Sequence, residues 1–357
     1  MDLTRTLILK PSSMGDIVQA LPVLTALRES RPDARVWWMV AKPFTDLLAG
    51  HPRLEGVIPF DRKRYARIWW NPAAMRDFLR FVRDLRRHGF TAVLDLQGLL
   101  RSGLLARFTG ARARVGFAAA RELAPLFYTE RVEVPGPDMH SVDRYLLVAR
   151  AAGLAPPRAT DHLPVPAPAR ERARAILAEA GLGPGEPFVV VGADARWTTK
   201  QWPAERYARV IDCVRAALGV RSVLVGGPDG KPAAERIGRA AAEAPIDLTA
   251  RTTLKELVGL IAEARVMVTN DSGPMHIAAA VGTPAVAIFG PTNPDRTGPY
   301  GPGHRIVTAA APCRPCYRRQ CVLGGTDALA CMTGVTADEV AEAVIDAWRK
   351  RASGRLP

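Results

Sequence analysis

The sequence predicts an α/β protein of two domains, each a doubly wound parallel sheet covered by helices. Short apolar runs alternate with segments of helical length along most of the chain, which is the pattern of repeated strand–helix units. The alternation breaks once, in a Pro-rich stretch at 154–187, and then restarts. The length of 357 residues is enough for about two domains, each burying its own core.

In the first half, 6–9 reads as a strand and 17–28 as a helix introduced by a Ser/Asp-rich turn that supplies capping oxygens. A strand at 36–40, a helix start at 44–48, a strand-like run at 56–59, an amphipathic helix at 74–87 and a strand at 92–96 follow. Pro156, Pro157, Pro164, Pro166 and Pro168 mark a linker, and an Ala-rich helix follows at 169–180. The second alternation gives strands at 188–191, 222–225, 266–269 and 285–289. Its helices fall at 204–218, 233–244, 254–264 and 276–281. A last amphipathic helix at 337–351 starts after Thr336, a good N-cap. The expected division is 1–160, 161–335 and a terminal piece, 336–357, that packs back on the first domain.

Composition excludes several classes. Hydrophobic residues at 48% and charged residues at 24% are ordinary globular values, so the chain is not disordered throughout. The longest weakly polar stretch, 278–290, is too short for a helix across a bilayer, and the N-terminal apolar run is too short for a signal peptide. A cytoplasmic protein is expected. The net charge is +14, and residues 61–131 alone carry 15 Lys and Arg against 6 Asp and Glu. Such a surface suits nucleic acid, anionic headgroups or a multiply charged substrate. No nucleic-acid motif interleaves with the arginines, so a nucleic-acid partner is not expected.

Five cysteines, an odd number, argue against a complete disulfide framework. Cys213 lies in an apolar helical pattern and reads as core. Cys313, Cys316, Cys321 and Cys331 form C-x2-C-x4-C-x9-C, whose first pair puts two thiolates on one turn and could hold zinc. The second pair is wider than in a zinc ribbon and the segment is a single loop, so no metal is assigned to the site.

Four motifs follow strands, where open α/β sheets place their ligands. Ser12-Ser13-Met14-Gly15-Asp16 sets a carboxylate at a helix start, either as a cap or as a general base on an acceptor hydroxyl. Trp197-Thr198-Thr199-Lys200 offers hydroxyls and a point positive charge to phosphate, against the plainer reading of an exposed loop. Asn270-Asp271-Ser272-Gly273-Pro274-Met275-His276 opens a helix of small residues whose N-terminal amides suit a pyrophosphate. Standing alone, His276 reads as a core histidine. Residues 289–301, rich in Gly and Pro, read as a loop beyond a strand. No G-x-G-x-x-G follows the first strand, and 226–232 lacks the spacer and hydroxyl of a P-loop.

Together these motifs resemble glycosyltransferase family 9, the ADP-heptose:lipopolysaccharide heptosyltransferases, over nearly the whole chain. The longest piece is D-S-G-P-M-H-I-A-A-A-x6-A-I-F-G-P-T-N-P-D-R-T-G-P-Y-G at 271–301. The N-terminal half looks most like type I members, which add the first heptose to Kdo2-lipid A. It does so through S-S-M-G-D at 12–16, D-L-Q-G-L at 95–99, A-R-E-L-A-P-L-F-Y at 120–128 and H-S-V-D-R at 140–144. N-D-S-G-x-M-H at 270–276 is more similar to type II, which extends an already heptosylated core.

The resemblance implies a GT-B fold, two Rossmann-like domains facing a cleft, with the acceptor on the first and ADP-heptose on the second. It implies inverting transfer without cofactor or metal. Asp16 would be the base, and Lys200 would stabilise the leaving diphosphate. Thr198, Thr199, Asp271, Ser272, Gly273 and His276 would bind the donor, with Asp229 on the ribose. Ser13, Arg62, Lys63, Arg64, Arg67, Arg121, His140 and Arg144 would contact the carboxylates and phosphates of the acceptor. The arginines of helix 74–87 would face the anionic inner membrane, a peripheral contact on its cytoplasmic side. Two further readings compete: a GT-B enzyme of another sugar nucleotide, such as a UDP-sugar epimerase, and a nucleotide-sugar-binding scaffold without turnover.

Overall fold

The structure is a computed structural model that describes residues 1–158, 162–325 and 328–354. It divides into two compact units, Met1–Pro164 and Val165–Pro357. The boundary expected at 160/161 falls on residues outside the described ones, and the observed division lies a few residues later.

The first unit holds β1 (Arg5–Leu9), α1 (Met14–Ser30), β2 (Arg35–Ala41), α2 (Thr45–Leu48), β3 (Gly56–Phe60), α3 (Arg62–Tyr65) and α4 (Pro72–Arg87). These are followed by β4 (Ala92–Asp95), α5 (Leu100–Phe108), β5 (Ala113–Phe117), β6 (Glu130–Val132) and α6 (Ser141–Ala151). Its six strands run parallel in the order β3-β2-β1-β4-β5-β6. The central strands are covered on both faces, which is why β1 and β4 read as continuous apolar runs rather than alternating ones. Leu7, Leu9, Met39, Phe60 and Val93 meet Leu85 of α4 and Leu105 of α5 in one core. On α4 the apolar positions Ala74, Phe78, Phe81 and Leu85 recur at helical spacing, and Phe78, Phe81 and Leu85 belong to or pack on that core.

The second unit holds α7 (Ala167–Glu179), β7 (Phe188–Gly192), α8 (Ala204–Leu218), β8 (Arg221–Leu224), α9 (Lys231–Ala240), β9 (Ile246–Asp247), α10 (Leu254–Glu263) and β10 (Val266–Asn270). It continues with α11 (Gly273–Ala280), β11 (Ala285–Phe289), α12 (Pro294–Thr297), β12 (Arg305–Thr308), α13 (Ala330–Thr333) and α14 (Ala337–Ala352). Its sheet is again six parallel strands, β12-β11-β10-β7-β8-β9.

Val340, Val344 and Trp348 of α14 are buried in the same core as Tyr207, Val210 and Val214 of α8, so α14 belongs to the core of the second unit. Its amphipathic pattern specifies an apolar face but not the surface that face covers.

In each sheet the chain leaves the first-laid strand in opposite directions, producing a switch point at β1/β4 and another at β7/β10. Crevices outside the carboxyl ends of strands open at such points. The predicted motifs at 12–16, 197–200 and 270–276 fall on these two ends.

Candidate active site

In the first unit, Lys10 to Ser13 link β1 to α1, and Ser13 caps the helix. The Ser13 amide and hydroxyl donate to Asp16 Oδ2 at 2.9 and 2.6 Å, so Asp16 does serve the capping geometry that its position suggests. Its other oxygen is used differently. Oδ1 accepts from the Tyr145 hydroxyl at 3.2 Å and lies 3.9 Å from Lys10 Nζ. Tyr145 reaches it because α6 packs along α1. The Asp16 side chain keeps 39% exposure, while that of Lys10 keeps 6%.

Lys10 is a site residue that the sequence reading missed. Its ammonium donates to the Leu96 carbonyl at 3.2 Å beyond β4 and sits 5.0 Å from the centre of the Tyr145 ring. Burial pulls its pKa down, opposed by the charges of Asp16 and Asp95. Asp95, fully buried at the end of β4, accepts from the Gln97 and Gly98 amides at 2.9 and 3.2 Å and from the Tyr128 hydroxyl at 2.7 Å. Burial still pushes its carboxyl above the ordinary range. Tyr128 can reach it because position 116 is glycine: a Cβ there would stand 2.5 Å from the Tyr128 ring. The available signals were a lysine and an aspartate each closing an apolar strand, polar residues where a strand meets its crevice.

The predicted acceptor residues divide. Arg144 stacks its guanidinium 5.6 Å from the Phe117 ring, and its charge acts on Lys10. The Arg121 amide donates to the Gly98 carbonyl, which ties the loop after β5 to the loop after β4. His140 is the N-cap of α6, and its Nδ1 accepts from the Val142 amide at 3.2 Å. Arg62, Lys63, Arg64 and Arg67 lie on or just after α3, beyond β3 at the sheet edge, away from the β1/β4 switch point. The Arg64 guanidinium is paired with Asp77 of α4 and so braces two helices.

In the second unit, Lys200 Nζ meets Asp271 Oδ2 at 2.5 Å, and the Thr292 hydroxyl donates to the same oxygen at 2.6 Å. Lys200 also lies 4.7 Å from the centre of the Trp197 ring. Side-chain exposure is 17% for Lys200 and 6% for Asp271. Asn270 locks the frame: its Nδ2 donates to the Ala193 carbonyl at 2.7 Å, and its Oδ1 accepts from the Tyr207 hydroxyl at 2.9 Å and the Trp202 amide at 3.3 Å. Ser272 is the N-cap of α11, with its hydroxyl 3.4 Å from Thr269 Oγ1. Gly273 opens the helix, and His276 is buried in its first turns. The start of α11 therefore stands beside the lysine.

Asp229 is exposed after β8, the strand beside β7, in a turn that also faces Asp194. Burial and the charge of Asp229 raise the Asp194 carboxyl above its usual range. Asp194, also missed from sequence, thus places a second carboxylate near Asp229 at this end.

The two threonines tie the loop to a distant segment. The Thr198 and Thr199 hydroxyls donate to the carbonyls of Arg319 and Arg318 at 3.1 and 2.7 Å, binding the Cys-rich segment down over the loop. Their hydroxyl protons are already committed. Cys313, Cys316, Cys321 and Cys331 all line one cavity of about 310 Å³ beside Thr199. Among the described residues, no three His, Cys, Asp or Glu side chains form a group placed to hold a metal ion.

Residues 78–326 match the family described as glycosyltransferase family 9 (heptosyltransferase). Lipopolysaccharide heptosyltransferase 1 of Pseudomonas aeruginosa is 32% identical over 329 residues, covering 90% of this chain and 89% of that one. Its namesake in Escherichia coli K12 is 30% identical over 311 residues, 85% of this chain and 93% of that one. The solved structure of an E. coli heptosyltransferase with ADP-2-deoxy-2-fluoro heptose superposes with a TM-score of 0.73 at 26% identity, covering 96% and 99% of the two chains. Two Rossmann-like units with all-parallel six-stranded sheets agree with the GT-B fold of these enzymes. The chain belongs to glycosyltransferase family 9, the heptosyltransferases, and is most like heptosyltransferase 1.

Proposed function

We propose that the protein transfers L-glycero-D-manno-heptose from ADP-heptose to the Kdo of Kdo2-lipid A, at the cytoplasmic face of the inner membrane. The observation that carries this reading is the pair of switch-point sites. One presents a half-exposed carboxylate, and the other presents a lysine at the start of a small-residue helix. The relatives named heptosyltransferase 1 support the acceptor assignment, and the E. coli structure with an ADP-heptose analogue supports the donor.

Asp16 Oδ1 takes the proton of the acceptor hydroxyl as its oxygen bonds to the anomeric carbon. The bond from that carbon to the phosphate oxygen breaks, ADP leaves with the electron pair, and the configuration inverts. Ser13 holds the other oxygen of Asp16 and fixes the direction of the carboxylate. Charge grows on the diphosphate as the bond breaks. Lys200 and the amides at the α11 N-terminus are preorganised donors for that charge. Asp271 and Thr292 hold Lys200 in place, and Asp194 with Asp229 accepts from the ribose hydroxyls. Lys63 and the Arg62, Arg67, Arg121 and Arg144 guanidiniums pair with acceptor carboxylates and phosphates.

The test is a transfer assay with ADP-heptose, offering Kdo2-lipid A and its monoheptosylated form in parallel. Turnover of Kdo2-lipid A alone is the expected result. Preference for the heptosylated acceptor would make the enzyme type II, and no transfer to either would refute both donor and acceptor.

A further inference from the structure

The second unit carries a cluster of nucleophilic side chains that the transfer reaction does not use. Cys313, Cys316, Cys321 and Cys331 converge on one cavity, which Thr199 and Arg318 also line. The four thiols are graded from outside to inside: Cys321 is exposed, Cys313 and Cys316 are half-buried, and Cys331 is buried. Their chemistry is graded too. The Leu329 amide donates to Cys321 Sγ at 3.4 Å, and with the Leu323 and Val322 amides it holds that thiol below its ordinary range. The Arg318 guanidinium adds positive charge to the same cavity wall. Burial pushes the Cys331 thiol up, and the neighbouring sulfurs of Cys313, Cys316 and Cys321 add to the rise. An accessible, acidic thiol backed by further thiols is the arrangement that oxidises reversibly.

The walls of this cavity are also the supports of Lys200. The Thr198 and Thr199 hydroxyls bond the carbonyls of Arg319 and Arg318, just before Cys321 in the chain. The Cys316 and Tyr317 amides donate to the Pro291 carbonyl at 3.0 and 2.9 Å, next to Thr292, whose hydroxyl holds Asp271. Arg319 stacks 5.4 Å from the centre of the Trp197 ring, whose face also meets Lys200. Cys331 backs onto Gly290, where an added Cβ would stand 3.3 Å from its sulfur. A disulfide fixes its two Cα atoms about 4.4–6.8 Å apart, so closing one inside the cavity draws this segment inwards and disturbs the loop that carries Lys200.

We propose that the cavity is a reversible oxidation site for hydroperoxides, in which Cys321 attacks, a second cavity cysteine resolves, and closure loosens the Lys200 loop. The Cys321 thiolate attacks one oxygen of the peroxide, the O–O bond breaks, and the other oxygen leaves as hydroxide or alkoxide, leaving a sulfenic acid. The sulfur of a neighbouring thiol then attacks the Cys321 sulfur. The S–S bond forms, the S–O bond breaks, and hydroxide departs with the thiol proton as water. The two sulfurs lose two electrons and the peroxide gains them. Only the effect on ADP rests on the functional reading.

The experiment treats the full reduced chain with hydrogen peroxide and reads it by intact mass and peptide mapping. The expected product has lost two hydrogen atoms, joins Cys321 to one of Cys313, Cys316 and Cys331, and regains its starting mass with dithiothreitol. Iodoacetamide is expected to label Cys321 before the other cysteines at neutral pH. C321S is expected to form no disulfide at the same peroxide dose. Cys213 lies on α8 against the core of the second unit, so C213S is expected to react as wild type. Oxidation is expected to weaken ADP binding by about fivefold, the loss of roughly one hydrogen bond, with recovery on reduction. A disulfide in C321S at the wild-type rate, equal labelling of all cysteines, or oxygen addition without a disulfide would overturn the proposal. So would about one tightly held metal ion per chain, which would make the thiols ligands, or unchanged ADP affinity after oxidation. A chain that forms the disulfide but binds ADP in neither state would leave the oxidation chemistry standing and refute the functional reading.

Discussion

The two switch points use the same pair of residue types with their exposure reversed. At β1/β4 the lysine is buried and the aspartate open, with 6% and 39% of their side chains accessible and 3.9 Å between their charged atoms. At β7/β10 the aspartate is buried at 6% and the lysine is the more accessible partner at 17%, in contact at 2.5 Å. In each case the buried partner orients the accessible one and offsets its charge. In the proposed reaction the accessible anion of the first unit takes the proton, and the accessible cation of the second meets the diphosphate.

The sharpest way to break that comparison is to remove each accessible partner in turn. Asp16→Ala is expected to lower turnover by about a hundred- to ten-thousandfold, the usual contribution of a positioned base, while leaving ADP affinity within about twofold. Transfer kinetics and calorimetric ADP titration check both halves. An equal loss of ADP binding would refute the division of labour. Lys200→Ala removes a charged donor, so it is expected to weaken ADP binding by about 2 kcal/mol and to lower kcat as well. It also leaves Asp271 buried beside Thr292 without its counter-charge. Adding Asp271→Asn is expected to recover thermal stability but not activity, separating the fold from the site.

A smaller effect tests the support behind the first site. Gly116→Ala puts a methyl into the Tyr128 ring and is expected to push the hydroxyl off Asp95, costing roughly 1–3 kcal/mol in urea unfolding. If stability and turnover both stay at wild-type values, the Asp95–Tyr128 bond does not support the Lys10 pocket.

The sequence made the three groups nearest the proposed chemistry legible for one reason. Asp16 in the first turn of α1, and Lys200 and Asp271 in loops, all come shortly after apolar strands, where a buried parallel sheet leaves few other roles for polar residues. Lys10 was not legible, because a lysine closing a strand reads as a solvated end until α6 and the Leu96 carbonyl enclose it. The ion pair of Arg64 was not legible either, because its partner Asp77 arrives only when α3 folds against α4. The hydrogen bonds of Thr198 and Thr199 were hidden likewise, since the carbonyls they serve lie some 120 residues onward. The strands β5 and β6 also escaped notice. Their short sequences, ARVGF and ERV, carry arginine, β6 at the sheet edge and β5 next to it, so they lack the uninterrupted apolar signature of the centre.

The two units also differ in how acid should reach them. His304 lies just before β12, at the other end of the second sheet from its site, with its Nδ1 3.2 Å from the Ala285 amide that donates to it. Burial lowers its pKa to about 4, from an ordinary 6.5. The unfolded chain therefore takes up a proton near pH 6.5 that the folded unit refuses until about pH 4, so stability falls as pH drops through that window and the loss levels off below it. From the ordinary and folded values, the loss is about 1.4 kcal/mol at about pH 5.5. His304→Asn keeps a polar group near the Ala285 amide and does not titrate there, so its melting temperature is expected to decline less between neutral pH and about pH 5 than that of wild type. Amide exchange read at the strands sharpens the point: acid should raise exchange at β11 and β12 before β1 and β4. Equal acid profiles for wild type and variant would show that His304 titrates normally, and the contrast between the two units in acid would then have to come from other groups.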